Sequence, residues 1–152
     1  TRVFTRSGFT YETFQKSLFA LHALSIKVIV HLILGLPHET REMMSASVQA
    51  IANLPVWGIK LQLLHVLSGT DLAAYYEKTH FPVFSMDEYC EMIIDCLELL
   101  PPEMVIHRIT GDGPKDLLIA PMWSTGKRTV LNQIHRRLKE RNTYQGRLAT
   151  KR

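Results

Sequence analysis

The feature that most constrains this chain is an alternation of two side-chain periods. Helical spacing gives way three times to short runs of aliphatic and β-branched residues. Residues 26–34 read IKVIVHLIL and residues 59–67 read IKLQLLHVL. Runs this continuously apolar suit strands of a parallel sheet with cover on both faces. A third strand is predicted over 104–109. Helical spacing surrounds them. The first helix spans 11–24, with Thr10 as N-cap and Phe14, Leu18, Leu21 and Leu24 inward. Thr40 caps a second helix to about residue 54, with Met44, Val48 and Ile51 inward. A short helix covers 71–78. Ser85 and Glu88 form a capping box that opens a helix to about residue 100, with Tyr89, Ile93, Cys96, Leu97 and Leu100 inward. After the turn Gly111-Asp112-Gly113-Pro114, residues 115–122 read as a loop or short helix. Ser124 or Thr125 then caps a last helix to about residue 141, with Val130, Leu131, Ile134 and Leu138 inward.

This order is that of βαβ units, and the fold class is α/β. Right-handed crossovers set about three strands parallel and adjacent, with outer helices on one face and a C-terminal helical extension. Three strands do not close a barrel. The other face is left bare, for a missing N-terminal half or a second copy of the chain to cover. The chain opens on Thr1-Arg2-Val3-Phe4 without an initiator Met, and is expected to be the later portion of a longer polypeptide.

With 46% hydrophobic and 21% charged residues, the 152-residue chain can build a real core and does not read as disordered. Its net charge of +4 is unevenly placed: residues 127–152 hold nine Lys or Arg against one acid, Glu140. Such a tail is either a solvated helix face or a surface for RNA phosphates. Only Trp123 and Tyr144 lie near it for base stacking. Cys90 and Cys96 are six apart in a helical pattern, so they fall on different faces. No disulfide framework follows, and a reducing, cytoplasmic setting is expected. No apolar run is long enough to span a membrane. P-loop, G-x-G-x-x-G and G-x-S-x-G patterns are absent.

Ligands of parallel α/β sheets bind at the C-terminal ends of the strands. Those ends read Gly35-Leu36-Pro37-His38-Glu39-Thr40, then His65 to Thr70, then Arg108 to Asp116, and each contains glycine. Gly, Pro and Thr also serve ordinary turns. Along the strands, Lys27, Ile29, His31 and Ile33 share one face, as do Lys60, Gln62, Leu64 and Val66. Buried Lys, Gln and His need partners. His31, Lys60 and Gln62 are therefore expected to face a lumen that holds a polar ligand. The plainer alternative makes Lys60 a strand start near solvent and His31 a satisfied core histidine. His65, His107 and Arg108 lie near strand ends, but no C-x-x-C or H-x-x-x-H spacing supports a metal site in this chain.

The segment HLILGLPHET, residues 31–40, resembles the fifth strand of radical S-adenosylmethionine (SAM) enzymes. The likeness continues in GIKLQLLHVLSGT (58–70), LLPPEMVIHRITGDGPKD (99–116) and LIAPMWS (118–124), and covers nearly the whole chain. It points to the YhcC-like bacterial group, distant relatives of elongator-type tRNA-modifying enzymes and of oxygen-independent coproporphyrinogen-oxidase-type enzymes. The resemblance implies the C-terminal part of a partial (β/α)6 TIM-like barrel. Residues 1–110 would belong to the barrel and 111–152 to a family-specific extension with the basic helix. It also implies SAM and a 4Fe–4S cluster as cofactors of the intact parent, the cluster held by a C-x-x-x-C-x-x-C loop and generating a 5′-deoxyadenosyl radical.

In the family pattern G-x-I-x-G-x-x-E, Ile33 and Gly35 match. His31 replaces the first Gly, His38 stands at the Glu position, and Glu39 falls one place late and is not carried over. Ile33, Gly35 and Leu36, with His65 and Val66 at the next strand end, are expected beside the adenine of SAM. His31, Lys60, Gln62, Arg108, Asp112 and Asp116 are the candidates for the substrate side. No C-x-x-x-C-x-x-C occurs here, so neither cofactor is expected on this chain alone. The expected function is that of a fragment of a radical SAM oxidoreductase or modifying enzyme, with the missing N-terminal half as partner. By analogy tRNA or another RNA is a further partner. The alternative is a non-catalytic RNA-binding module that uses the basic helix.

Overall fold

A computed structural model describes residues 8–111 and 113–149. Helix α1, Tyr11–Ala23, starts where the Thr10 side chain accepts from the Thr13 N–H. Strand β1, Ile29–Leu34, leads into α2, Arg41–Ala52, capped by Thr40. Strand β2, Gly58–Leu63, is followed by a short β3, Val66–Leu67, and by α3, Asp71–Thr79. The Ser85–Glu88 capping box opens α4, Met86–Leu99. Strand β4, Val105–Arg108, comes next, then β5, Leu118–Ala120, a 3-10 turn at Met122–Thr125, and α5, Lys127–Glu140.

The main sheet has the order β1-β2-β4, and both pairings are parallel. One face is a core. Leu34, Ile59, Leu61 and Leu63 are buried there against Met44 and Val48 of α2 and Tyr89 and Ile93 of α4. Val130 and Ile134 of α5 join the same cluster. The other face is open: Ile29, His31, Ile33 and Val105 are exposed, and Lys60 and Gln62 are half-buried.

Five expectations need correction. The first strand begins at Ile29 rather than residue 26, and its apolar run is covered on one face only. Of the apolar stripe on α1 only Leu18 is buried, while Leu24 is 72% exposed. The second strand does not run on to residue 67. It ends at Leu63, and Leu64 and Val66 turn into a second small core with Ala73, Phe81 and Ala120. They therefore leave the face that Lys60 and Gln62 occupy. Val66 and Leu67 pair antiparallel with β5, a strand inside the stretch read as loop or short helix. The last helix starts after Gly126. The Ser124 and Thr125 hydroxyls donate instead to the Pro121 and Met122 carbonyls, closing the 3-10 turn, and cannot cap α5.

The basic helix spends much of its charge inside the molecule. Asp87, Glu91 and Asp95 follow one another at i,i+4 spacing along α4, which puts them on one stripe. Arg137 bonds Asp87 and Glu91, Arg141 bonds Glu91 and Asp95, and Arg41 of α2 takes the outer oxygen of Asp95. Beyond α5 the chain returns along the end of α4. The Gly146 and Leu148 N–H groups donate to the Leu97 and Glu98 carbonyls. The buried Glu98 carboxylate accepts from Thr143 and Arg147. Burial works against its charge, yet these donors hold the carboxyl below the ordinary glutamate range.

The ion-pair stripe separates two neighbouring arginines. Arg137 keeps only 16% of its side chain exposed, whereas Arg136 is 63% exposed and pairs with Glu140 one turn away. Arg137→Ala should lower unfolding stability by about 1–3 kcal/mol, because two carboxylates lose charged hydrogen bonds. Arg136→Ala should stay within ~0.5 kcal/mol of the parent. Urea denaturation of the two variants checks this; equal effects would refute the internal docking of α5.

Candidate functional site

The C-terminal ends of β1, β2 and β4 meet around a knot of glycines and rings. After Leu34 the chain turns through Gly35 at φ +86°, a conformation that side chains disfavour. A Cβ there would also stand 2.9 Å from the Phe84 ring. The Glu39 carboxylate clasps this turn, accepting from the Gly35 N–H at 3.0 Å and the Leu36 N–H at 3.1 Å. Burial pushes the Glu39 carboxyl above the ordinary glutamate range, against the pull of those two donors. Sequence reasoning passed over Glu39. The available signal was a carboxylate just behind a Gly-x-Pro turn and just ahead of a helix N-cap.

Phe84 is itself held in place. The Trp123 Nε1–H donates to the Phe84 carbonyl at 2.8 Å, and the Tyr89 hydroxyl donates to the Ile109 carbonyl at 3.1 Å. The Tyr89 ring lies 6.0 Å from that of Phe84 and 5.7 Å from that of Trp123, centroid to centroid. This aromatic row ties the ends of β1 and β4 together. At the end of β2, His65 packs between Gly111 and Gly113, and a side chain at either glycine would run into its ring. The two glycines of the 111–114 turn thus serve close approach. Beside β1, a cleft of about 620 Å³ is lined by Gly35, His38, Glu39, Arg41, Tyr75 and Phe84, with His38 Nε2 3.1 Å from the Tyr75 hydroxyl.

The residues expected beside an adenine therefore separate. Ile33, 36% exposed, and Gly35 lie at the open face and strand end. Leu36 packs against the second core and the Val66 side chain is buried within it, while His65 is enclosed by the glycines. On the substrate side, the structure brings His31, Lys60 and Gln62 together. His31 Nε2–H donates to Gln62 Oε1 at 2.6 Å. The register sets His31 beside Lys60, and Lys60 beside Arg108 across a bulge. Asp116 is exposed in the turn before β5, and Asp112 lies outside the described residues.

A grouping not foreseen sits at the opposite end of the sheet. Lys27 Nζ stands 4.8 Å from the centre of the Trp57 ring, and His107 is 5.3 Å from the same ring, over Gly58. Cys90 and Cys96 are both buried in α4 despite their different azimuths. Burial pushes both thiols up, Cys96 to about 12, which suits core packing rather than ligation of iron. Among the described residues no group of three His, Cys, Asp or Glu is placed to hold a metal ion. No described helix is long and apolar enough to cross a membrane.

The Radical_SAM C-terminal domain family matches residues 56–140. The chain is 45% identical over 136 residues to the uncharacterized protein YtqA of Bacillus subtilis, covering 90% of this chain and 42% of YtqA. It is 32% identical to the uncharacterized protein MJ0486 of Methanocaldococcus jannaschii, covering 86% of this chain and 41% of that protein. It is 27% identical to YhcC of Escherichia coli K12, covering 88% and 43%. The chain thus spans about two fifths of the length of these relatives. Among solved structures, an archaeal Methanocaldococcus infernus Elp3 with an N-terminal deletion superposes with a TM-score of 0.80 at 18% identity. That match covers 95% of this chain and 34% of the Elp3 chain, and it shows the fold: part of a partial TIM-like barrel.

The Glu39 clasp has a pH signature. Its pKa is raised by folding, so its contribution to stability is full below the unfolded glutamate pKa and is lost as pH rises through the folded value. Glu39→Gln should abolish that component. The difference in urea midpoint between the parent and Glu39→Gln should shift toward the variant as pH rises from 4 through about 6, a range around the ordinary carboxylate value. A pH-independent difference would contradict the burial of this carboxyl.

Proposed function

This chain belongs to the Radical_SAM C-terminal domain family, and from that premise we propose that it forms one wall of the SAM and substrate pocket in a radical SAM oxidoreductase or modifying enzyme. The observation that carries the reading is the one-sided sheet. Three parallel strands bury an apolar face under helices, hold a polar face open, and end in turns at Gly35 and at Gly111 with Gly113. Ligands of such sheets sit at those ends. The remaining three fifths seen in the relatives would supply the other strands and cover the open face. In this division residues 1–110 contribute to the barrel. Residues 111–152 form an extension, fastened by Trp123 and α5 to the same core.

The residues present suit the adenine end of SAM. Because Glu39 occupies the Gly35 and Leu36 N–H groups, the β1 turn offers a ring the apolar surface of Ile33 rather than donors. Gly35 keeps the strand end free of a side chain. With SAM and a reduced 4Fe–4S cluster in place, the completed pocket would carry radical chemistry on the substrate, and this chain's residues would hold the adenine end. This chain's buried cysteines do not fit cluster ligation, so the C-x-x-x-C-x-x-C loop belongs to the part that completes the barrel. His31, Gln62 and Lys60 would orient substrate on the open face, and covering that face would exclude water and strengthen each polar contact.

A role for α5 in binding RNA has less to draw on. Arg137 and Arg141 are committed to α4, which leaves Arg128, Arg136 and Lys139 as the outward cations of that helix among the described residues with no acid of another element against them.

Ile33→Asp in the intact polypeptide should weaken SAM binding by about tenfold or more, since an unpaired carboxylate would meet the ring; tenfold corresponds to about 1.4 kcal/mol. Ile33→Leu should bind as the parent does. Equilibrium dialysis with radiolabelled SAM measures both. Unchanged affinity in Ile33→Asp would remove the β1 end from the cofactor site.

A further inference from the structure

Charge is sorted by layer in this molecule. The strands IVHLIL, GIKLQL and VIHR contain no acid at all. Yet the register aligns His31, Lys60 and Arg108 as one rung across the three strands. Among the described residues, the carboxylates at the end of β1 and along α4 are already engaged. Glu39 faces the Gly35 and Leu36 N–H groups, and Asp87, Glu91 and Asp95 meet arginines on the outer helices. Lys60 is half-buried even with the face open. Once the face is covered, its ammonium loses more water, and an anionic partner would offset that cost.

The neighbouring polar pair is set for the same partner. His31 Nε2–H donates to Gln62 Oε1 at 2.6 Å, which turns the Gln62 amide NH₂ away from His31 and leaves its two donors to a ligand. A cation flanked by amide donors recognises an oxyanion. Building on the pocket reading above, we propose that the substrate of this site carries a carboxylate or phosphate group, paired with Lys60 and oriented by the His31–Gln62 couple.

The test uses the intact polypeptide labelled with ¹³C at lysine Cε and histidine Cε1. It is titrated separately with sodium phosphate and sodium succinate, with ionic strength held constant by sodium chloride. Saturable shifts at Lys60 and His31 are expected with at least one of the two. The tighter of the two assigns the phosphate or the carboxylate class. Lys60→Gln should weaken that binding about tenfold, and Lys60→Arg should restore it. No saturable change, or shifts shared equally by the exposed Lys16 and Lys78, means an adventitious ion only and overturns the inference. The SAM measurement on Ile33→Asp is independent of this titration. Normal SAM behaviour without an oxyanion response sinks this inference alone. An oxyanion response with SAM binding indifferent to Ile33 sinks the cofactor reading alone.

Discussion

The parallel pairing of β2 with a neighbour on each side is the constraint from which the rest of the structure follows. A central strand has no free edge, so its side chains must settle the character of both faces. Ile59, Leu61 and Leu63 are buried toward the helices, and each such side chain contributes roughly 1.5–3 kcal/mol by leaving water. Gly58, Lys60 and Gln62 face the other way. Parallel neighbours cannot be joined by a tight turn, so each connection must cross over through a helix. The crossovers here are α2 and α4, and they share the buried face. Among the described residues nothing is then left to cover the face that carries Lys60. Gly58 shows how close the pairing is: a Cβ there would stand 2.9 Å from the Val105 carbonyl.

Most of this was legible before any coordinates. Capping at Thr10, Thr40 and Ser85 is written in local chemistry, where a side-chain oxygen meets an N–H three residues on. The alternation of strand and helix was equally plain, because both periods depend on neighbours in sequence. The pairing of β3 with β5 was not. Leu64 to Leu67 continues the apolar pattern of β2 without a break, and only the second core, built from Ala73, Phe81 and Ala120, bends it away. The same gap between local and distant information explains α5. Ser124 and Thr125 look like caps until the 3-10 turn takes their hydroxyls.

The candidate site divides along the same line. That His31, Lys60 and Gln62 share a face follows from strand alternation, and the 2.6 Å contact between His31 and Gln62 follows from register. The clasp of Glu39 on two backbone donors needed the geometry of the Gly35 turn. The family pattern directed attention to the position before it, where His38 instead reaches Tyr75. An apolar run in a strand also overstated its own cover. The pattern of Ile29, His31 and Ile33 is that of a surface made to be buried, and in this chain it is not.

The ion pairs make α5 an integral layer rather than an appendage. The acidic stripe of α4 would repel itself if left alone, since like charges one turn apart are unfavourable. Arg41 relieves one end of it from α2, and Arg137 of α5 and Arg141 just after it relieve the remainder. The stripe therefore binds α2 and α5 to one helix. Glu98 repeats the arrangement a turn further on, where a buried carboxylate is kept ionised by Arg147 and Thr143. A helix so engaged is unlike a free basic arm. Its positive charge balances the outer layer, where Arg137 and Arg141 answer the carboxylates of α4.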